Sequence, residues 1–155
     1  MTASGQTSSE ERRELLAAVL DTLIPASEDG RMPGCGELGA AESVAAWIEA
    51  SPAGDGALAS ILDAIDASAR AAGRPFLEGT QSERAAAVAA VAAEQPDLFG
   101  LLWQATLIAY YQHPSICRKL GLRPGPPYPK GYEVPDTDFS LLEPVRTKQR
   151  LYRDA

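Results

Sequence analysis

Three features of the sequence predict an all-α fold. Alanine crowds residues 40–50, 57–72 and 85–93, and alanine is the strongest helix former. Apolar residues recur at i, i+3, i+4 and i+7 through most of the first 112 positions, the spacing of amphipathic helices. Runs of β-branched residues with period-two alternation are missing. The expected architecture is a single domain, a bundle of about five or six helices. Residues 1–8 form a disordered N-terminus, 9–121 the helical body and 122–155 an extended arm rich in proline and glycine. A chain of 155 residues can bury a core without metal or disulfide staples.

The first helix opens at a capping box, Ser8 with Glu11, and turns Leu15, Leu16, Val19, Leu20 and Leu23 to one side. Pro25 ends it, because the residue before a proline is pushed out of helical geometry. Residues 26–36, ASEDGRMPGCG, read as a loop held by Pro33 and three glycines. A second helix is expected over 37–50, with Leu38, Ala41, Val44, Ala45 and Ile48 inward. Pro52 and Gly54 break it. A third, over 55–72, buries Leu58, Ile61, Leu62, Ile65 and Ala69, with Gly73 as its cap. Pro75, Phe76 and Leu77 anchor the next turn. Thr80 and Glu83 form another capping box, opening a fourth helix whose inward face is Ala85, Val88, Val91 and Ala92.

Pro96 at a first turn, with Asp97 beside it, starts the fifth helix. Leu98, Leu101, Leu102, Ala105, Ile108 and Ala109 line one side of it. Phe99, Trp103, Thr106 and Tyr110 line the other. A helix apolar on both sides belongs between other elements, so this one is expected to be the central post, with Trp47 and Trp103 both in the core. Pro114 restarts a short helix over 115–120 that Gly121 closes. Five prolines between 124 and 135 rule out a regular helix or central strand there, which leaves a polyproline-like arm. Residues 138–142 and 145–152 have the composition for short turns or a weak helix.

Charge is unevenly spread. Residues 1–117 carry a net of −10 and residues 118–155 a net of +3. An acidic body argues against nucleic acid, whose binders need a dense basic face. The scattered basic residues of the tail suit solvated surface or an acidic partner. Cys35 and Cys117 have no CxxC or CxxCH context, which excludes covalent c-type haem and zinc-finger spacing. A cytoplasmic chain is expected from the polar N-terminus and from apolar runs too short to span a bilayer. Export together with a partner stays open.

Catalytic constellations are thin. The glycines at 30, 34, 36 and 39 follow a helix and a proline rather than a strand, which does not make a phosphate cradle. His113 is the only histidine, and no nucleophile elbow accompanies it. Asp63 and Asp66 lie at i, i+3, but no ExxH pair exists to complete a di-metal bundle, so both read as solvated. No catalytic, cofactor-binding or metal-binding residue is assigned. His113 reads first as a helix-end residue beside the carbonyls of its own last turn, where the dipole favours its charged form. The aromatic and proline cluster Tyr110, Tyr111, His113, Pro114, Pro126, Pro127, Tyr128, Pro129 and Tyr132 reads as amphipathic packing or as partner-binding anchors.

Two blocks carry a family resemblance. LLAAVLDTLIPASEDGRMPGCGELGAAESVAAWIE resembles the gluconate 2-dehydrogenase subunit 3 family, in which a helix ending in L-DTLIP leads into a glycine- and proline-rich loop. YYQHPSICRKLGLRPGPPYPKGY resembles the same family's C-terminal signature, an aromatic helix end and a proline ahead of a G-x-x-GP-x-x-P arm. Together they cover roughly residues 12–133. The resemblance implies a small accessory subunit that does no catalysis itself. It implies a large FAD-dependent partner of the glucose-methanol-choline type, acting on sugars or other alcohols, with the FAD in that partner. The twin-arginine export signal of many relatives is not matched. Relatives with a Gly-Gly pair after the aromatic helix are not matched either, since Ser115 and Ile116 stand there. Two other readings stay open: a stand-alone enzyme built on His113 and the tyrosines, and a generic helical adaptor.

Overall fold

The computed structural model describes residues 3–52, 54–125 and 138–148, with side chains from Ser9 onward. It contains seven α-helices and no strand among the described residues. The chain divides into two compact units, residues 1–125 and 126–155. In the first unit the helices are α1 (Ala3–Leu23), α2 (Ala41–Glu49), α3 (Ala57–Ala71), α4 (Gln81–Glu94), α5 (Pro96–Gln112) and α6 (Pro114–Lys119), with a 3-10 turn at Phe76–Glu78. The all-α expectation holds.

The core is the set of residues that helical spacing selects. Leu16, Val19 and Leu20 of α1, Val44 and Ile48 of α2, Ile61, Leu62 and Ile65 of α3, and Val88 and Val91 of α4 are all buried. Each fully buried aliphatic side chain of this kind is worth about 1.5–3 kcal/mol over an exposed one. Helices α3 and α4 pack along each other, α5 lies against α2, α3 and α4, and α1 touches α2, α3 and α4.

Several boundaries differ from the sequence reading, each for a local reason. Helix α1 begins at Ala3, so Ser8 lies inside it rather than capping it. Helix α2 begins at Ala41, not at residue 37. Gly39 takes φ +76°, a left-handed conformation incompatible with a continuing right-handed helix. Ala85 is exposed and Ala87 takes the inward place on α4, a rotation of the alanine face that composition alone does not fix. The Thr80 capping box is present, with the Thr80 hydroxyl accepting from the Glu83 N–H and the Thr80 N–H donating to Glu83.

The turn between α3 and α4 is tied from both sides. Phe76 is fully buried. Its N–H donates to Asp66 Oδ1 at 3.0 Å, while Arg84 donates to the carbonyls of Phe76 (3.0 Å) and Leu77 (2.6 Å). The Arg84 guanidinium also sits 5.6 Å from the Phe76 ring centroid, within cation–π range. Asp66 is therefore not a solvated carboxylate, as the sequence suggested. Burial pulls its carboxyl up, but the Phe76 N–H, the Arg70 hydrogen bond and the Arg70 charge together hold it below the ordinary value of 3.8.

A depressed folded-state value means that Asp66 contributes stability above the unfolded carboxylate range and loses it as pH falls through the folded one. The stability difference between the native chain and Asp66→Asn should therefore be constant from pH 7 to about 5 and shrink progressively below about 4. Urea midpoints measured across that range check it, and a difference that does not change with pH refutes the assignment.

In the second unit, residues 138–148 form a 3-10 turn at Phe139–Leu142 and helix α7 (Glu143–Arg146). The turn falls within the expected 138–142 stretch, whereas α7 overlaps the expected 145–152 stretch only at Val145 and Arg146, and residues 149–152 lie outside the described residues. Residues 126–137, which hold the predicted Pro126, Pro127, Tyr128, Pro129 and Tyr132, lie outside the described residues.

Candidate partner-binding face

The junction between α1, α5 and α6 is built around the loop of residues 24–40. The Ile24 carbonyl accepts from the Cys35 N–H at 3.0 Å, and the Ser27 N–H donates to the Met32 carbonyl at 2.9 Å. Asp21, in the last turn of α1, reaches across to this loop. Its Oδ1 accepts from the N–H groups of Gly36 (2.7 Å) and Glu37 (3.1 Å). On the far side the buried Tyr110 donates its hydroxyl proton to the Pro33 carbonyl at 2.9 Å. Lys119 Nζ donates to the Arg31 carbonyl at 2.6 Å. Side chains of three helices, Asp21 of α1, Tyr110 of α5 and Lys119 of α6, thus fix a stretch with no regular structure through four hydrogen bonds.

The spacing of the glycines in PGCG follows from this contact. A Cβ on Gly36 would collide with the Ala17 carbonyl oxygen and with Asp21, and one on Gly34 would collide with Asp21 Oδ1. Between them Cys35 is completely buried, and burial first, then the nearby Asp21 charge, pushes its thiol up to about 12. A thiol that stays protonated is a packing group rather than a nucleophile. Cys35 and Cys117 are both free and buried.

Helix α5 does not sit between other elements on all sides. Leu102, Ala105, Thr106 and Tyr110 are buried, and Thr106 satisfies its hydroxyl on the Leu102 carbonyl at 2.7 Å. The opposite arc carries Trp103, 39% exposed, Leu107, half-buried, and Tyr111, 53% exposed. Positions 103, 107 and 111 follow i, i+4, i+8 spacing and share one face. The central-post expectation is corrected accordingly: Trp103 is a surface residue, while Trp47 packs against the core. Hydrophobicity all round misled here. From Leu98 to Gln112 the helix has no charged residue, so nothing in its composition marks the outward arc.

The aromatic pair splits its duties. Tyr110 is held inside with its OH on Pro33, and its burial, followed by Tyr111 and Cys35, raises its phenol. Tyr111 stands outside, its ring edge-on to Tyr110 with centroids 5.3 Å apart. His113 is the elbow. Its backbone N–H closes α5 on the Tyr110 carbonyl, but its ring turns forward rather than back. Nδ1 accepts from the Ser115 N–H at 3.3 Å and lies 2.8 Å from the Ser115 hydroxyl. The ring expected beside the carbonyls of α5 thus caps α6 instead. Pro114 follows as the first residue of α6 and is exposed.

Beyond the elbow, Cys117 Sγ lies 3.2 Å from the Tyr111 carbonyl, and the Leu122 N–H returns to the Cys117 carbonyl at 2.8 Å. Leu120 (47% exposed) and Leu122 (58% exposed) then stand in solvent next to the end of α5. In the second unit, Phe139, Leu141, Leu142 and Val145 are all exposed. Among the described residues, no three acidic, histidine or cysteine side chains come together in a way that would hold a metal. No helix among them is long and apolar enough to cross a membrane.

Fold and surface together define a small helical protein whose distinctive feature is an exposed aromatic and aliphatic face. The sequence model of the family described as gluconate 2-dehydrogenase subunit 3 matches residues 10–124, and the chain belongs to that family. Comparison with curated proteins and with solved structures gave no match. The matched span contains the Asp21 loop, the outer arc of α5 and the His113 elbow.

Proposed function

We propose that this chain is a non-catalytic accessory subunit that binds and stabilises a large FAD-dependent oxidoreductase of the glucose-methanol-choline type, acting on sugars or other alcohols. The observation that carries the reading is the outward face of α5. Monomeric proteins scatter single apolar residues over their surface, whereas a rimmed cluster of large ones marks an interaction site. Trp103 and Tyr111 are residue types enriched among interface hot spots, and both are mounted on a rigid helix that Tyr110 and the Asp21 loop brace from behind. The family membership, as a subunit of gluconate 2-dehydrogenase, supports a larger oxidoreductase as the partner. The flavin belongs to that partner, and no residue of this chain is assigned to it.

Co-expression tests the reading. The large subunit produced alone should be mostly insoluble or poor in flavin. Production with this chain should give a soluble complex in which the 450 nm flavin absorbance co-elutes with both proteins. Full flavin loading and activity of the large subunit by itself would refute it.

A further inference from the structure

The end of α5 combines apolar and cationic character in a molecule that is otherwise acidic. Residues 113–125 contain Arg118, Lys119 and Arg123 and no acidic residue, whereas residues 1–117 carry a net of −10. The arginines elsewhere in this unit are mostly engaged. Arg13 pairs with Glu42, Arg31 with Asp29, Arg70 with Asp66 and Arg74 with Glu83, and Arg84 is spent on two carbonyls. Lys119 is occupied by the Arg31 carbonyl. Arg118 and Arg123 are exposed and, like Arg12, have no carboxylate partner among the described residues.

Their position follows from the local geometry. Arg118 adjoins Cys117, whose sulfur touches the Tyr111 carbonyl. Arg123 adjoins Leu122, whose N–H is bonded back to Cys117. Arg118 and Arg123 are thus carried on segments tied by these contacts to the Tyr111 end of α5, while Trp103 lies about 12 Å further along the helix, at 1.5 Å per residue.

We infer that Arg118 and Arg123, next to the Trp103–Tyr111 stripe, form a two-part docking surface for an apolar protein surface bordered by carboxylates. The inference rests on the accessory-subunit reading and specifies the partner's surface chemistry. Apolar burial along α5 provides affinity. The guanidiniums set orientation by forked pairing with carboxylates, and they speed encounter by attracting a negative rim. An anionic lipid surface presents similar chemistry, but the −10 body would be repelled from it as a whole, so a protein with a localised acidic rim is the better match.

The test measures association of the purified chain with the large flavoprotein subunit isolated from the native complex, at 50 mM and 500 mM salt, using the native chain and Arg118→Glu/Arg123→Glu. Vesicles of phosphatidylcholine with phosphatidylserine serve as the second probe. The native chain should bind the flavoprotein more weakly at high salt. The double variant should associate at least about tenfold more slowly at 50 mM, and the gap should narrow at 500 mM as the Debye length falls from about 14 Å to about 4 Å. Both arginines are exposed, so the variant should keep the native melting temperature.

Native binding with an unchanged double variant would overturn the inference and leave the accessory-subunit reading standing. Failure of the native chain to bind the flavoprotein at all would overturn both. Arginine-dependent binding to the vesicles but not to the flavoprotein would replace the inferred partner with a lipid surface.

Discussion

Gly36→Ala should destabilise the protein by about 3 kcal/mol or more, at the upper end of single-substitution effects. The added methyl group has no space, because it would meet the Ala17 carbonyl oxygen and Asp21 at once. Backbone on a packed helix cannot move aside as the end of a flexible side chain can. To relieve the clash, the loop must lift from α1, and this breaks the bonds from the Gly36 and Glu37 N–H groups to Asp21. Hydrogen bonds to a charged acceptor such as Asp21 contribute about 1.5–3 kcal/mol each where they are shielded from water and less where, as at Glu37, they are exposed. Asp21→Asn is the informative companion. It keeps one acceptor oxygen but loses the charge, and hydrogen bonds to charged groups are the stronger ones, so a smaller loss of about 1–2 kcal/mol is expected. Chemical denaturation of both variants checks the order. A Gly36→Ala chain as stable as the native one would mean that the loop does not lie where Asp21 holds it.

The contrast between this loop and the helices shows which parts of the molecule the sequence discloses. Core residues such as Val19, Val44, Ile61 and Val91 are legible from spacing, because burial of one helix face requires a period near 3.6. The Thr80 box and the Pro96 start are legible because they are local, with donor and acceptor within four residues. The role of Asp21 is not legible in this way because its partners lie 15 and 16 residues away and meet it only once the loop has folded back. Tyr110 and Pro33 are separated by 77 positions, and no local rule connects them. The exposure of Trp103 is hidden for a different reason. A helix can be apolar all round because it is central or because one of its faces awaits another protein, and a single sequence does not separate the two.

That ambiguity gives the second large effect. Trp103→Ser with Tyr111→Ser should change folding stability by no more than about 1 kcal/mol, as exposed sites do, yet weaken partner binding by about a thousandfold or more. Hot-spot aromatics each contribute about 2 kcal/mol or more when truncated, and about 1.4 kcal/mol is a factor of ten in affinity. Leu102→Ala, on the buried side of the same helix, should show the reverse pattern. It should cost about 2–5 kcal/mol in stability and impair binding only through the unfolded fraction. Thermal melts alongside titration of the large subunit separate the two arcs of α5. A surface double variant that loses as much stability as Leu102→Ala would show that the stripe is covered within this chain itself. Retention of native affinity by a folded double variant would move the interface off α5. Tyr111 is the more sensitive of the two positions, since its ring rests edge-on against Tyr110 and Tyr110 is tied to the Pro33 carbonyl. Loosening the loop should therefore weaken binding even with the stripe intact, which links the Gly36 variant to the same measurement.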